Sequence, residues 1–175
     1  MNAGESALQP EYEHEQAGNL FTDVRLRMVQ RDDLAILYEF QLDPAGYRMA
    51  FTRPRTADDF DAHWDKILDS STVVLRAIVA SDALVGSISC FQSDNQHYVG
   101  YWIGREFWGQ GIATRALALL LDEVLIRPLF ARVAVSNVAS IRVLEKCGFR
   151  TILREWSPST ERFVECEEAL MVLAD

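Results

Sequence analysis

The chain has 175 residues, 49% of them hydrophobic and 25% charged, amounts ordinary for one globular domain with a substantial core. Seventeen lysines and arginines against 26 aspartates and glutamates give a formal net charge of −9. That excess disfavours nucleic-acid binding, which depends on neutralising phosphates, and no apolar run reaches the roughly 20 residues a membrane-spanning helix needs.

Residues 1–21 carry no lysine or arginine and little periodic hydrophobicity. They are expected to form a mobile acidic arm ahead of a single domain over 22–175. The N-terminus also lacks a basic-then-apolar leader, so a cytoplasmic protein is expected. "DVRLRMV" alternates as a first strand, and "RDDLAILYEFQL" repeats apolar residues at helical spacing. Thr56, with Asp58 and Asp59 behind it, caps a further helix running to about Leu68.

Three β-rich segments follow, "TVVLRAIVA", "ALVGSISCFQ" and "QHYVGYWIG", with "SDA" and "SDNQ" short enough to make them successive hairpins. A long apolar helix starts near Gly111, buries Leu117, Leu120, Leu121 and Val124, and is stopped by Arg127-Pro128. "FARVAVS" reads as a strand and "NVASIRVLEKCGF" as a helix closed by Gly148. "RTILREW" and "VECEEALMVLA" complete the set as two strands. The order β-α-α-β-β-β-α-β-α-β-β is that of a mixed α/β domain, not a regular βαβ alternation. Cys90, Cys147 and Cys166 are widely spaced without a C-x-x-C pair, and read as free, buried thiols in a reducing compartment.

The chemistry gathers at "WGQGIAT", Trp108 to Thr114, a glycine turn between a strand and a helix N-terminus. Such a turn aims backbone N–H groups and the helix dipole at an anion. A P-loop would need Gly-Lys-Ser/Thr, which does not occur. A dinucleotide fingerprint would need a third small residue where Thr114 stands, and an acid about 20 positions later, where "FARVAVSN" has none.

The turn instead resembles the acetyl-CoA signature Q/R-x-x-G-x-G/A of the GNAT (Gcn5-related N-acetyltransferase) superfamily, with Trp108 in place of the first Gln or Arg. "FWGQGIAT" is similar to the RimJ/RimL branch of ribosomal-protein acetyltransferases. A second block, Asn137 to Phe149, resembles that family's N-x-x-S/A…EK-x-GF helix. The resemblance implies a mostly antiparallel seven-stranded mixed sheet, helices on both faces, and a splay between the fourth and fifth strands.

It implies acetyl-CoA as co-substrate, no metal, and an amine acceptor: a peptide N-terminus or a small amine, whose positive charge would suit an acidic protein. A homodimer through a strand edge or the C-terminal region is one arrangement left open. By the same resemblance, the amides of Gly109, Gln110, Gly111, Ile112 and Ala113 and the Thr114 hydroxyl cradle the pyrophosphate. Tyr101, Trp102 and Ile103 border the pantetheine arm, and the backbone N–H of Ile103, at a bulge in the fourth strand, meets the carbonyl oxygen. Asn137 faces the pantetheine or caps its own helix, and Ser140 contacts or protonates the sulfur.

Two departures stand out. Leu144 occupies the position where many members carry a proton-donating tyrosine, and Tyr98 and Arg115 sit where the branch often has acids. The base that takes the amine proton is accordingly open among His97, Glu39, Asp43 and a water chain. The departures also motivate an alternative, a non-catalytic acyl-CoA-binding or protein-interaction module on the same fold. His63, between Asp61 and Asp65, has too few neighbours of ligand type for a metal and reads as part of a polar helix face. Phe51, Phe60 and Trp64 read as packing or as lining of the acceptor cleft.

Overall fold

The structure, a computed structural model, describes residues 23–175, so the expected N-terminal arm lies outside the described residues. Seven strands form one sheet in the order β1-β2-β3-β4-β5-β7-β6. They are β1 (Val24–Arg27), β2 (Val74–Ala80), β3 (Ala83–Ser93), β4 (Gln96–Ile103), β5 (Leu129–Ala134), β6 (Arg150–Ser157) and β7 (Cys166–Leu173). Every neighbouring pair is antiparallel except β4 and β5. The expected fold class is borne out.

Both hairpins close where expected, on left-handed residues: Ser81 and Asp82 for β2–β3, Asp94 and Asn95 for β3–β4. Two-residue turns of that handedness match the twist of antiparallel strands. The parallel pair is short. β4 and β5 align only at His97↔Leu129 and Tyr98↔Phe130 and then part.

Alternation along β2 assigns the two faces. Ile78 and Ala80 join the main core, to which α4 (Ile112–Glu123) adds Ala116, Leu117 and Leu120, and α5 (Val138–Lys146) adds Leu144. Leu75 turns the other way and packs with Leu37 of α1 (Leu34–Leu42) and with Phe60 and Trp64 of α3 (Ala57–Leu68). Phe60 and Trp64 are thus packing residues. Thr56 caps α3 as expected, accepting from the Asp59 amide. Cys90 and Cys166 are buried and Cys147 half-buried, all three as free thiols.

Three local expectations need correction. A six-residue helix, α2 (Pro44–Met49), stands where no element is expected. Pro44 and Gly46 read as breakers, yet proline is favoured in the first helical turn, and Asp43 caps the helix by accepting from the Ala45 amide. The long apolar helix ends at Glu123, not at Arg127. The Arg127 guanidinium donates to the carbonyls of Val124 and Ile126 at 2.7 and 2.8 Å, satisfying groups at the helix end. Finally, β4 pairs with β3 in unbroken register, and the shift in that part of the sheet lies between β2 and β3 at Ile78/Val79.

Candidate active site

The parting of β4 from β5 opens a cleft of about 470 Å³ at the Ile103 end of β4. The ladder determines which backbone groups face the gap. The Gly104 amide donates to the Val85 carbonyl at 2.9 Å, so residues 102 and 104 spend their backbone groups on β3. In an antiparallel ladder the intervening residues, Tyr101 and Ile103, then turn theirs to the β5 side. No bulge is needed to free the Ile103 amide. Divergence of the neighbouring strand does it.

The Ile103 carbonyl accepts from the Trp108 indole at 2.9 Å, which ties the glycine turn to the strand end. Beyond Trp108, Gly109 and Gly111 adopt φ of +74° and +76°. A β-carbon at Gly109 would meet no atom within 4 Å, so its glycine is required by conformation and not by crowding. Gly111 caps α4 and its carbonyl receives the first helical bond, from Arg115. The amides of the first turn are therefore left without helical partners.

α5 supplies the third wall. Asn137 accepts from the Ser140 amide at 3.1 Å, so it is an N-cap and also lines the cleft. The Tyr101 hydroxyl lies 2.6 Å from Ser140 Oγ, with the Ser140 carbonyl oxygen farther off at 3.4 Å. Burial pushes the Tyr101 phenol up to about 12, against the lowering pull of Ser140. It is a neutral donor at any physiological pH.

Tyr101, Trp102, Ile103, Gly109, Gln110, Gly111, Ile112, Ala113, Thr114, Asn137 and Ser140 all line this cleft. His97 does not. It pairs with Gln92 six residues back along β4, roughly 20 Å from Ile103 at about 3.3 Å per residue. Glu39 is exposed on α1, and Asp43 is engaged in capping α2 and lies 3.9 Å from Arg105. Neither lines the cleft. Leu144 is 2% exposed within the main core, Tyr98 is buried between Phe91 and Phe130, and Arg115 is exposed.

Several lining residues are not among those expected. Arg142 and Lys146 share the cleft-facing stripe of α5 with Ala139, a spacing of three and four that helical periodicity could have revealed. Gly46, Met49 and Ala50 come from or directly follow α2, which gives no such signal. Among the described residues the lining contains two cations and no aspartate or glutamate, in a protein of net charge −9. Free helix-end amides, left-handed glycines and two cations form a donor set that fits a pyrophosphate. Gln110 Oε1, buried without a partner, is an acceptor suited to an amide N–H.

His63 differs from expectation. It is half-buried, edge-on to Trp64, and its imidazole is driven down to about 4 by burial and by Arg55, Arg162 and Lys66. Among the described residues no three His, Cys, Asp or Glu side chains converge as a metal site, and no helix is long and apolar enough to cross a membrane.

Comparison with known proteins agrees with this geometry. Residues 23–150 match the family model for the acetyltransferase (GNAT) domain. The chain is 35% identical over 78 residues to the probable N-acetyltransferase YjcK of Bacillus subtilis (strain 168), covering 40% of this chain and 43% of that protein. It is 24% identical over 162 residues to the uncharacterized N-acetyltransferase p20 of Bacillus licheniformis, covering 83% and 91%. Its fold is similar to that of spermidine N-acetyltransferase from Vibrio cholerae, solved with CoA and spermine, with a TM-score of 0.75 at 18% identity over 86% of this chain and 95% of that one. The family match, on the splayed strands and glycine turn described above, shows that the chain belongs to the GNAT acetyltransferases, N-acetyltransferases that draw on acetyl-CoA.

Proposed function

We propose that this protein acetylates a primary amine carried on an apolar or weakly charged stem, with a peptide N-terminus in the manner of the RimJ/RimL branch as the leading acceptor. The observation that carries this reading is the two-sided lining of the cleft. Alternation along β4 sends Tyr101 towards α5 and Trp102 towards α2. The Tyr101 side holds the glycine turn, Ser140, Arg142 and Lys146, a setting for an anionic donor. The Trp102 side offers Gly46, Met49 and Ala50, and among the described residues the lining holds no carboxylate to pair with a polycation.

Bound acetyl-CoA supplies a thioester carbonyl to the amine; the remaining roles fall to the chain. The helix-start amides and Thr114 hold phosphate, and the Ile103 amide donates to the carbonyl oxygen as it gains charge. Ser140 donates towards the sulfur. With no carboxylate or histidine in the lining among the described residues, the amine proton leaves through water. An α-amine, with an ordinary pKa of about 8, needs less help from a base than an alkylamine near 10.

A coupled assay for CoA release tests this against a panel of N-terminal peptides, spermidine and amino sugars. Peptides carrying apolar second residues should turn over fastest. Preference for spermidine by more than an order of magnitude would reject the acceptor assignment. The same missing base favours a second reading, an acyl-CoA-binding module, which tight acetyl-CoA binding without turnover on every amine would establish.

A further inference from the structure

We infer that Tyr101 is the positioning residue that aims the Ser140 hydroxyl hydrogen into the cleft, in place of the helix tyrosine whose position Leu144 fills. The inference rests on the reading of Ser140 as the group that meets the sulfur.

Three observations carry it. Tyr101 Oη and Ser140 Oγ are 2.6 Å apart, the closest side-chain pairing at the cleft. A serine hydroxyl has one hydrogen and can point it in several directions, so its donor direction depends on what occupies its lone pairs. Tyr101 keeps its proton at any working pH, since burial raises the phenol's pKa. Either hydroxyl could donate across this contact; in the arrangement we infer the phenol donates to Oγ, which leaves the serine hydrogen to turn into the cleft that both residues line. Tyr101 is itself fixed, held in the β3–β4 ladder opposite Ile88 and packed against the main core.

The Asn137 cap holds the other side of Ser140, accepting from its backbone N–H at 3.1 Å. Ser140 is thus held at its amide and its oxygen, with its hydrogen remaining. During transfer the acetyl carbon gains a bond to nitrogen and loses its bond to sulfur, and the electron pair of that bond goes to sulfur. Ser140 meets that pair as a hydrogen-bond donor. The proton the free thiol finally carries is the one the nitrogen releases, exchanged through water. No other reactant is required.

The test combines kinetics with a property of the bound product. Tyr101→Phe and Ser140→Ala should each lower kcat roughly 10-fold, with KM for acetyl-CoA changed less than about two-fold, since only a transition-state contact is lost. The double variant should be no slower than either single one, because the two hydroxyls act as one unit. Independently of turnover, ultraviolet titration of the thiolate of bound CoA should show its pKa raised in both variants relative to the wild type. A Tyr101→Phe enzyme with unchanged kcat and unchanged thiol pKa would overturn the inference, as would additive losses in the double variant. A wild type that binds CoA but acetylates nothing would reject the transfer reading, while the thiol titration would still decide the Tyr101–Ser140 coupling.

Discussion

The two faces of β4 at its open end are built differently. On the α5 side lie the polar features: two left-handed glycines, helix-start amides, the Tyr101–Ser140 pair and two cations, set among Ile112, Ala139 and Val143. On the α2 side the wall is Gly46, Met49, Ala50 and Trp102, and the Trp102 indole spends its N–H internally, on the Phe40 carbonyl at 3.1 Å. The first side gathers donors suited to an anion. The second is an apolar, packed wall, with no aspartate or glutamate in its lining among the described residues.

The largest effect should come from breaking the α5 side. Gly109→Val places a β-branched residue at φ +74°, a conformation that costs an L-residue about 1–2 kcal/mol. Because nothing lies within 4 Å of the added carbon, the loss should appear in cofactor binding and not as core disruption. Calorimetric affinity for acetyl-CoA should fall roughly 10-fold, with the melting temperature shifted by only a few degrees. An unchanged affinity would show that the turn does not grip the donor.

A smaller effect should follow from altering the α2 side. Met49→Glu adds the carboxylate this wall lacks, so KM for spermidine should fall roughly three-fold, as for a partly exposed ion pair, while KM for acetyl-CoA stays constant. If the acetyl-CoA KM moves and the spermidine KM does not, the division of the cleft into two sides is wrong.

A third effect, on stability alone, lies outside the cleft and serves as a control on it. His63 is held well below its ordinary pKa by burial and by Arg55, Arg162 and Lys66. Its folded value of about 4 lies below the unfolded value near 6.5, so the unfolded chain binds more protons between them. Stability from this site is complete above about pH 6.5 and is lost as pH falls towards 4. His63→Gln should flatten urea-melt stability across that window and leave acetyl-CoA affinity alone. A wild type and variant with the same pH slope would contradict the assignment.

The same contrast explains what can be read from the residues alone. Strand alternation, hairpin turns and the capped helices carry the fold, because each is a local pattern that the tertiary structure does not override. "WGQGIAT" and "NVASIRVLEKCGF" bring the residues of the α5 side to one cleft, since a phosphate cradle needs glycine and helix-start geometry at fixed spacing. α2 is illegible because Pro44 and Gly46 look like turn residues until tertiary packing seats Gly46 against Trp102, so closely that a β-carbon added there would lie 3.0 Å from the indole ring. The Tyr101–Ser140 pair joins residues 39 positions apart on a strand and a helix, and no local spacing announces it. Net charge does not locate the cleft: among the described residues its lining holds two cations and no acid, in a protein of net charge −9.

We propose that the parted strands and glycine turn form an acetyl-donor site that serves an amine. Its most direct test is acetyl-CoA consumption by the purified protein, measured with and without an N-terminal peptide, alongside calorimetric binding of acetyl-CoA. Saturable acetyl-CoA binding and CoA release that depends on the amine are expected. Failure to bind acetyl-CoA under native conditions would contradict it.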